Sequence, residues 1–169
     1  MQANSDLNSL DYEVELVDAI GKIPAKSWNR LMADDNPFNQ HEYLAALESS
    51  ECVCTKTGWT PLHLLIKEVN THCAKDTIVA VMPLYIKAHS YGEYVFDWAW
   101  ADAFERHQLA YYPKLLSAVP FTPTTGKRLG IDKTKTQSEQ HIIWQLVANT
   151  LTQCLSEYDF SSWHCLFLP

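Results

Sequence analysis

Residues 60–89 read TPLHLLIKEVNTHCAKDTIVAVMPLYIKAH. Two apolar runs, Thr60 to Val69 and Thr77 to His89, flank the polar link NTHCAKD. Runs rich in Val, Ile and Leu read as strands, and so short a link suits an antiparallel hairpin. The second run is almost continuously apolar, which points to a central strand buried on both faces. Pro83 falls inside it. Proline has no N–H for the ladder, so a bulge or a local break in pairing is expected there.

Working outward, Tyr12 to Ile20 alternates, with Tyr12, Val14 and Leu16 on one face and Glu13 and Glu15 on the other. That period marks a half-buried strand. Gly21 ends it, Pro24 suits the first turn of a helix, and Trp28, Leu31 and Met32 supply an apolar face. A second helix is expected in NPFNQHEYLAALESS, with Asn39 as N-cap, Glu42 three residues on, and Leu44, Ala46 and Leu47 inward. Residues 90–135 show no clean periodicity and read as ordered but irregular. Thr136 to Tyr158 is the clearest helix: Thr136 and Glu139 form a capping box, and Ile143, Leu146, Val147, Thr150, Leu151, Cys154 and Tyr158 recur at helical spacing. Ser162 to Pro169 reads as a last strand. This order predicts an α+β (mixed α/β) fold. An apolar strand at the very end suggests a fragment of a larger fold, and its uncovered edge offers a route to homo-oligomers.

The chain has 169 residues, 47% hydrophobic and 20% charged, which suits one folded domain. Its net charge of -7 argues against general binding to nucleic acid or anionic membranes. The polar start lacks the features of a signal peptide, and the longest apolar run, Ile78 to Ile86, is too short to span a bilayer, so a cytoplasmic location is expected. Five cysteines at scattered spacing point to reduced thiols. Cys52, Cys54, His63, His72 and Cys73 lack the paired spacing of a zinc site, and no metal is expected. Dinucleotide, P-loop, G-x-S-x-G and H-E-x-x-H patterns are all missing from the sequence.

Residues 89–128 carry the chemistry: HSYGEYVFDWAWADAFERHQLAYYPKLLSAVPFTPTTGKR. Eight of the chain's twenty aromatics lie between Tyr91 and Tyr112. If residues 93–100 are extended, Tyr94, Phe96, Trp98 and Trp100 share one face, and Glu93 and Asp97 share the other. The two carboxylates would then sit ~13 Å apart, at about 3.3 Å per residue, and act singly. Residues 106–135 hold six Lys and Arg against one acid, Asp132. A basic segment beside clustered aromatics suits an anionic, partly planar or sugar-bearing ligand. Taken alone, His89 reads as structural, and Gly92 and Gly126 as turn residues.

The run HSYGEYVFDWAWADAF, followed by YYPKLLSAVPFTPTTGKRL, resembles the FemAB-like family of peptidoglycan biosynthesis or recognition proteins. HEYLAALESS and TGWTPLHLLI fit the same family, so the likeness runs from about Trp28 to the end. It implies a GNAT-like mixed sheet flanked by helices, with residues 1–169 as the N-terminal half of a duplicated fold. The activity implied is transfer of an acyl or aminoacyl group to an amine, with acyl-CoA or aminoacyl-tRNA as donor and a peptidoglycan precursor as substrate. The isolated half is expected to be inactive without a C-terminal partner half. The acyl-CoA fingerprint R/Q-x-x-G-x-G/A is missing, so the donor site stays unassigned. Glu93 and Asp97 are expected to serve the amine. His89, Ser90, Tyr91, Trp98, Trp100, Tyr111 and Tyr112 are expected to line the pocket, and Lys114 and Arg128 to meet an anionic group. Two alternatives stand beside this: a recognition module without chemistry, and an aromatic interface to the missing half.

Overall fold

The computed structural model describes residues 11–33, 36–69, 77–95 and 97–169. Strand β1 (Asp11–Val17) pairs antiparallel with β3 (His63–Val69), Val14 opposite Ile66. On its other side β3 pairs antiparallel with β4 (Thr77–Met82), Leu65 opposite Val81. Strand β4 then meets β7 (Gly130–Ile131), giving the order β1-β3-β4-β7. The hairpin expected from residues 60–89 is therefore present, and β4 is central, with Val79 to Met82 buried. Its link falls outside the described residues.

Pro83 breaks the second run, as its missing N–H requires. The chain leaves the first sheet at Met82 and resumes as β5 (Tyr85–Lys87) in a second sheet. The facing run breaks too, between β2 (Trp59–Pro61) and β3. The Leu62 N–H still donates to the Leu84 carbonyl at 2.9 Å, so one bent hairpin feeds both sheets. The second sheet is completed by β6 (Lys114–Ser117) and β8 (Trp163–Cys165), in the order β2-β5-β6-β8. β6 and β8 run parallel, which makes this sheet mixed. The fold is α+β, as the order of elements predicts.

Helices cover both faces of the first sheet. Trp28, Leu31 and Met32 of α1 (Ala25–Met32) and Leu44 of α2 (His41–Ser49) pack on Val17, Leu65 and Val81. On the opposite face, Ile143, Val147, Leu151 and Cys154 of α4 (Gln137–Glu157) meet Leu64, Ile66, Ala80 and Met82, with Tyr12, Val14 and Leu16 packed alongside. Both ends of the Thr136–Glu139 capping box are made. Among the described residues, no helix is long and apolar enough to cross a membrane.

Five local expectations are corrected. Asn39 does not cap α2; it closes a 3-10 turn (Pro37–Asn39), and its buried carbonyl accepts from Trp28 Nε1 at 2.9 Å. Ala46 points to solvent while Ala45 packs inward, and Tyr158 is exposed just beyond α4. Residues 90–135 are less irregular than their composition suggests. They contain β6, β7 and a further helix, α3 (Trp98–Arg106). The last strand is limited to Trp163–Cys165.

Candidate functional site

The site lies on the face of the second sheet turned away from α4. Strand alternation sends Ile86, Leu115 and Trp163 toward the α4 core, and Tyr85 and Leu116 to the other side. Lys87 and Lys114 share that side by the same alternation, and both side chains are fully buried. Buried ammonium groups are tolerated only with partners. Residues 88–97 supply them by folding back over the sheet. Gly92 takes φ +80, and an added Cβ there would lie 2.6 Å from the Phe121 ring. Tyr94 also takes a positive φ of 57. These two turns overrule the extended reading of residues 93–100, and the chain enters α3 at Trp98.

The consequence is a correction to the expected carboxylate separation. Glu93 and Asp97 do not act singly; both converge on one ammonium. Lys114 Nζ donates to Glu93 Oε2 at 2.9 Å, to Asp97 Oδ2 at 2.6 Å and to Ser90 Oγ at 3.1 Å. The Tyr111 hydroxyl donates to Asp97 Oδ2 at 2.7 Å, and Ser90 Oγ lies 2.6 Å from the Tyr112 hydroxyl. Asp97 occupies the N-cap position of α3 yet makes no capping bond, because its carboxylate is turned to Lys114 and Tyr111. A residue that gives up its local preference for a tertiary partner is the kind of departure expected at functional or strained positions.

The shared lysine leaves the two acids unlike. Burial raises Glu93 above the usual carboxylate range, and Lys114 only partly opposes it. Burial also acts on Asp97, but there the bonds from Lys114, Ser90 and Tyr111 prevail and hold it low. Pairs of acids pushed apart in this way divide proton-holding and charge-holding roles between them. One oxygen on each, Glu93 Oε1 and Asp97 Oδ1, is buried without a hydrogen-bond partner. Such orphans are rare, since an unmet buried acceptor costs about 1–3 kcal/mol.

Lys87 lies beneath the same loop. Its Nζ sits 3.7 Å above the centre of the Trp59 ring and donates to the Tyr91 carbonyl at 3.1 Å, which also accepts from Trp59 Nε1 at 3.2 Å. Burial is the largest influence on it and lowers it to about 7, against a smaller opposing pull from Glu93. Between that value and the ordinary lysine range, the unfolded chain holds a proton that the folded chain has released. Stability therefore rises with pH across that window. Lys87→Met is expected to flatten this rise, as read by urea denaturation at pH 7 and pH 9.5. An equal rise in the variant would assign it to another group.

Of the other expected residues, some line a cavity on the same loop. A cavity of about 280 Å³ is lined by Ser90, Tyr91, Gly92, Tyr94, Val95 and Trp98. Ser90 belongs both to this wall and to the shell of Lys114. Half-buried His89 stands edge-on to Tyr91 at 5.0 Å, and Tyr91 edge-on to Trp98 at 5.3 Å. Trp100 is 65% exposed on α3, a helix with no buried residue. Arg128 is not at this site. Its guanidinium donates to the Leu166 and Lys127 carbonyls at 3.0 Å and to the Thr124 carbonyl at 2.5 Å. These bonds tie the 124–128 loop to residue 166, and this placement does not support the expected open contact to an anion. The anions that Lys114 meets are the chain's own, so part of the apparent basic patch is internal.

Sequence reading missed Lys87, Trp59 and the pair Ser162 and His164. A signal existed for Lys87: it shares strand parity with Tyr85 inside an otherwise apolar run. None existed for the other three.

No curated protein and no solved structure matches the chain. The sequence model of the FemAB-like family, described as peptidoglycan biosynthesis/recognition, matches residues 19–169. That span takes in nearly the whole chain and every residue of the Lys114 cluster, and the protein belongs to the FemAB-like family.

Proposed function

We propose that this chain provides the acceptor-amine site of an acyl or aminoacyl transferase acting on a peptidoglycan precursor. One observation carries the reading: two buried carboxylate oxygens, Glu93 Oε1 and Asp97 Oδ1, have no donor and lie on the loop that forms an aromatic-walled cavity. An amine is a donor of the right kind, and aromatic faces favour an ammonium on its way in. Asp97 keeps its charge and orients the group. Glu93, the acid that takes a proton more readily, accepts one from the ammonium, leaving a neutral amine to attack the acyl carbon of a thioester or ester. The acyl donor, acyl-CoA or aminoacyl-tRNA, would be bound by a second, GNAT-like half, as the family resemblance implies.

The test is calorimetric. A stem peptide with a free side-chain amine is expected to bind at least about ten-fold more tightly than its N-acetylated form, the equivalent of about 1.4 kcal/mol. Asp97→Asn is expected to erase the difference. Equal affinities for the two peptides in the wild type would overturn the reading. A second reading, recognition without transfer, is favoured by the exposure of Trp98 and Trp100. It predicts the same binding preference with no turnover of either donor.

A further inference from the structure

We propose that Ser162 and His164 form a second reactive centre, a serine nucleophile paired with an imidazole base, which accepts an acyl group from activated esters or thioesters. Ser162 Oγ lies 2.9 Å from His164 Nε2, within the reach required of a nucleophile and its base. Ser161 is a neighbour at 3.3 Å, but its own proton is committed to the Tyr111 carbonyl. It therefore cannot donate to Ser162; of the two acceptors within reach of the Ser162 hydroxyl, Ser161 Oγ and His164 Nε2, the nearer is Nε2 at 2.9 Å. Both side chains are half-buried.

The register of the parallel pair places this dyad beside the lysine cluster. Leu115 lies opposite Trp163 and Leu116 opposite His164, so Ser162 falls next to Lys114. The groups facing the imidazole are Lys114 from β6, Asp97 ahead of α3 and the Tyr111 ring, 6.0 Å away edge-on. Burial, followed by the Lys114 charge, holds His164 below its ordinary range against a weaker pull from Asp97. The neutral ring, which can take a proton, is accordingly favoured.

The step balances within the dyad. The Ser162 Oγ–acyl bond forms while the hydroxyl proton passes to Nε2. The ester C–O or thioester C–S bond breaks, and the leaving alkoxide or thiolate takes the proton back from the imidazolium. Water or an amine then attacks the acyl carbon and gives its proton to Nε2, the Oγ–acyl bond breaks, and Nε2 returns the proton to Ser162 Oγ, restoring the dyad.

The probe is p-nitrophenyl acetate on the full chain. A burst of nitrophenolate, stoichiometric with protein, is expected, with acetyl mapped by mass spectrometry to the peptide bearing Ser162. Ser162→Ala is expected to abolish the adduct. His164→Gln is expected to slow the burst by at least about 100-fold, the usual worth of a general base. The burst rate should rise with pH through a midpoint below the ordinary histidine value of about 6.5. No burst, acetyl elsewhere with Ser162 unmodified, or a burst that survives Ser162→Ala would each overturn the assignment. The mass map on the wild type decides even if a variant fails to fold. The probe carries no amine, so failure here leaves the acetylated-peptide comparison standing.

Discussion

Lys114→Met lowers the stability of the folded chain by about 3–5 kcal/mol, the typical result of breaking a buried ion pair from one side. The side chain is fully buried, and its single ammonium satisfies Glu93, Asp97 and Ser90 at once. Its loss removes the donor to Glu93 Oε2 and leaves Asp97 with the Tyr111 hydroxyl. Both carboxylates then take up protons more readily: Glu93 rises further above its unfolded value, and Asp97 loses the Lys114 bond that helps hold it low. A raised carboxyl contributes stability that is present at low pH and lost as pH climbs through the folded value. The deficit should therefore be larger at pH 8 than at pH 5, as read by chemical denaturation. The combined variant Lys114→Met, Glu93→Gln, Asp97→Asn removes the stranded charges and should recover more than half of the loss. A single variant as stable as the wild type at pH 8 would show that the cluster is solvated and would remove the ground for a preorganised site.

Trp59→Ala costs a comparable amount, about 3–5 kcal/mol, by a different mechanism. Trp59 is fully buried, meets Tyr85 edge-on at 5.4 Å and Phe121 at 5.5 Å, and carries the Lys87 ammonium on its face. Truncation opens a cavity under the loop and removes one of the two donors that hold the Tyr91 carbonyl. The loop that carries Glu93 and Asp97 should loosen with it, seen as faster amide exchange over residues 90–95 than in the wild type. Trp59→Phe keeps most of the apolar volume and should restore most of the stability but not the Tyr91 bond. A Trp59→Ala protein with unchanged exchange in that loop would separate the core role of Trp59 from any role in shaping the site.

Much of the first sheet was legible because its cues are local. The hairpin residues run apolar on both sides of a polar link, Pro83 lacks the N–H that a ladder needs, and the Thr136–Glu139 box closes within three residues. The last two act regardless of where the rest of the chain lies. Residues 93–100 misled for the opposite reason. Their alternating aromatics imitate a strand, but Tyr94 takes a left-handed backbone and Trp98 begins a helix. What overrides the pattern is the lysine across the sheet, which draws Asp97 away from its capping role. Asn39 was misread similarly: its polar type suits a cap, yet its carbonyl is claimed by Trp28 eleven residues away.

Sequence alone determined the α+β class, the family and the central hairpin with its break, and it singled out the segment that holds most of the candidate site. Those features rest on residue type and on period, which survive in any conformation. Tertiary structure decided which charges meet. It turned an apparently basic segment into an internal ion cluster and enclosed Arg128 among carbonyls. It also set Ser162 beside His164 and Lys114 across a parallel strand pair. Electrostatic partnership depends on distances of about 3 Å and on the exclusion of water, and neither is encoded by spacing along the chain.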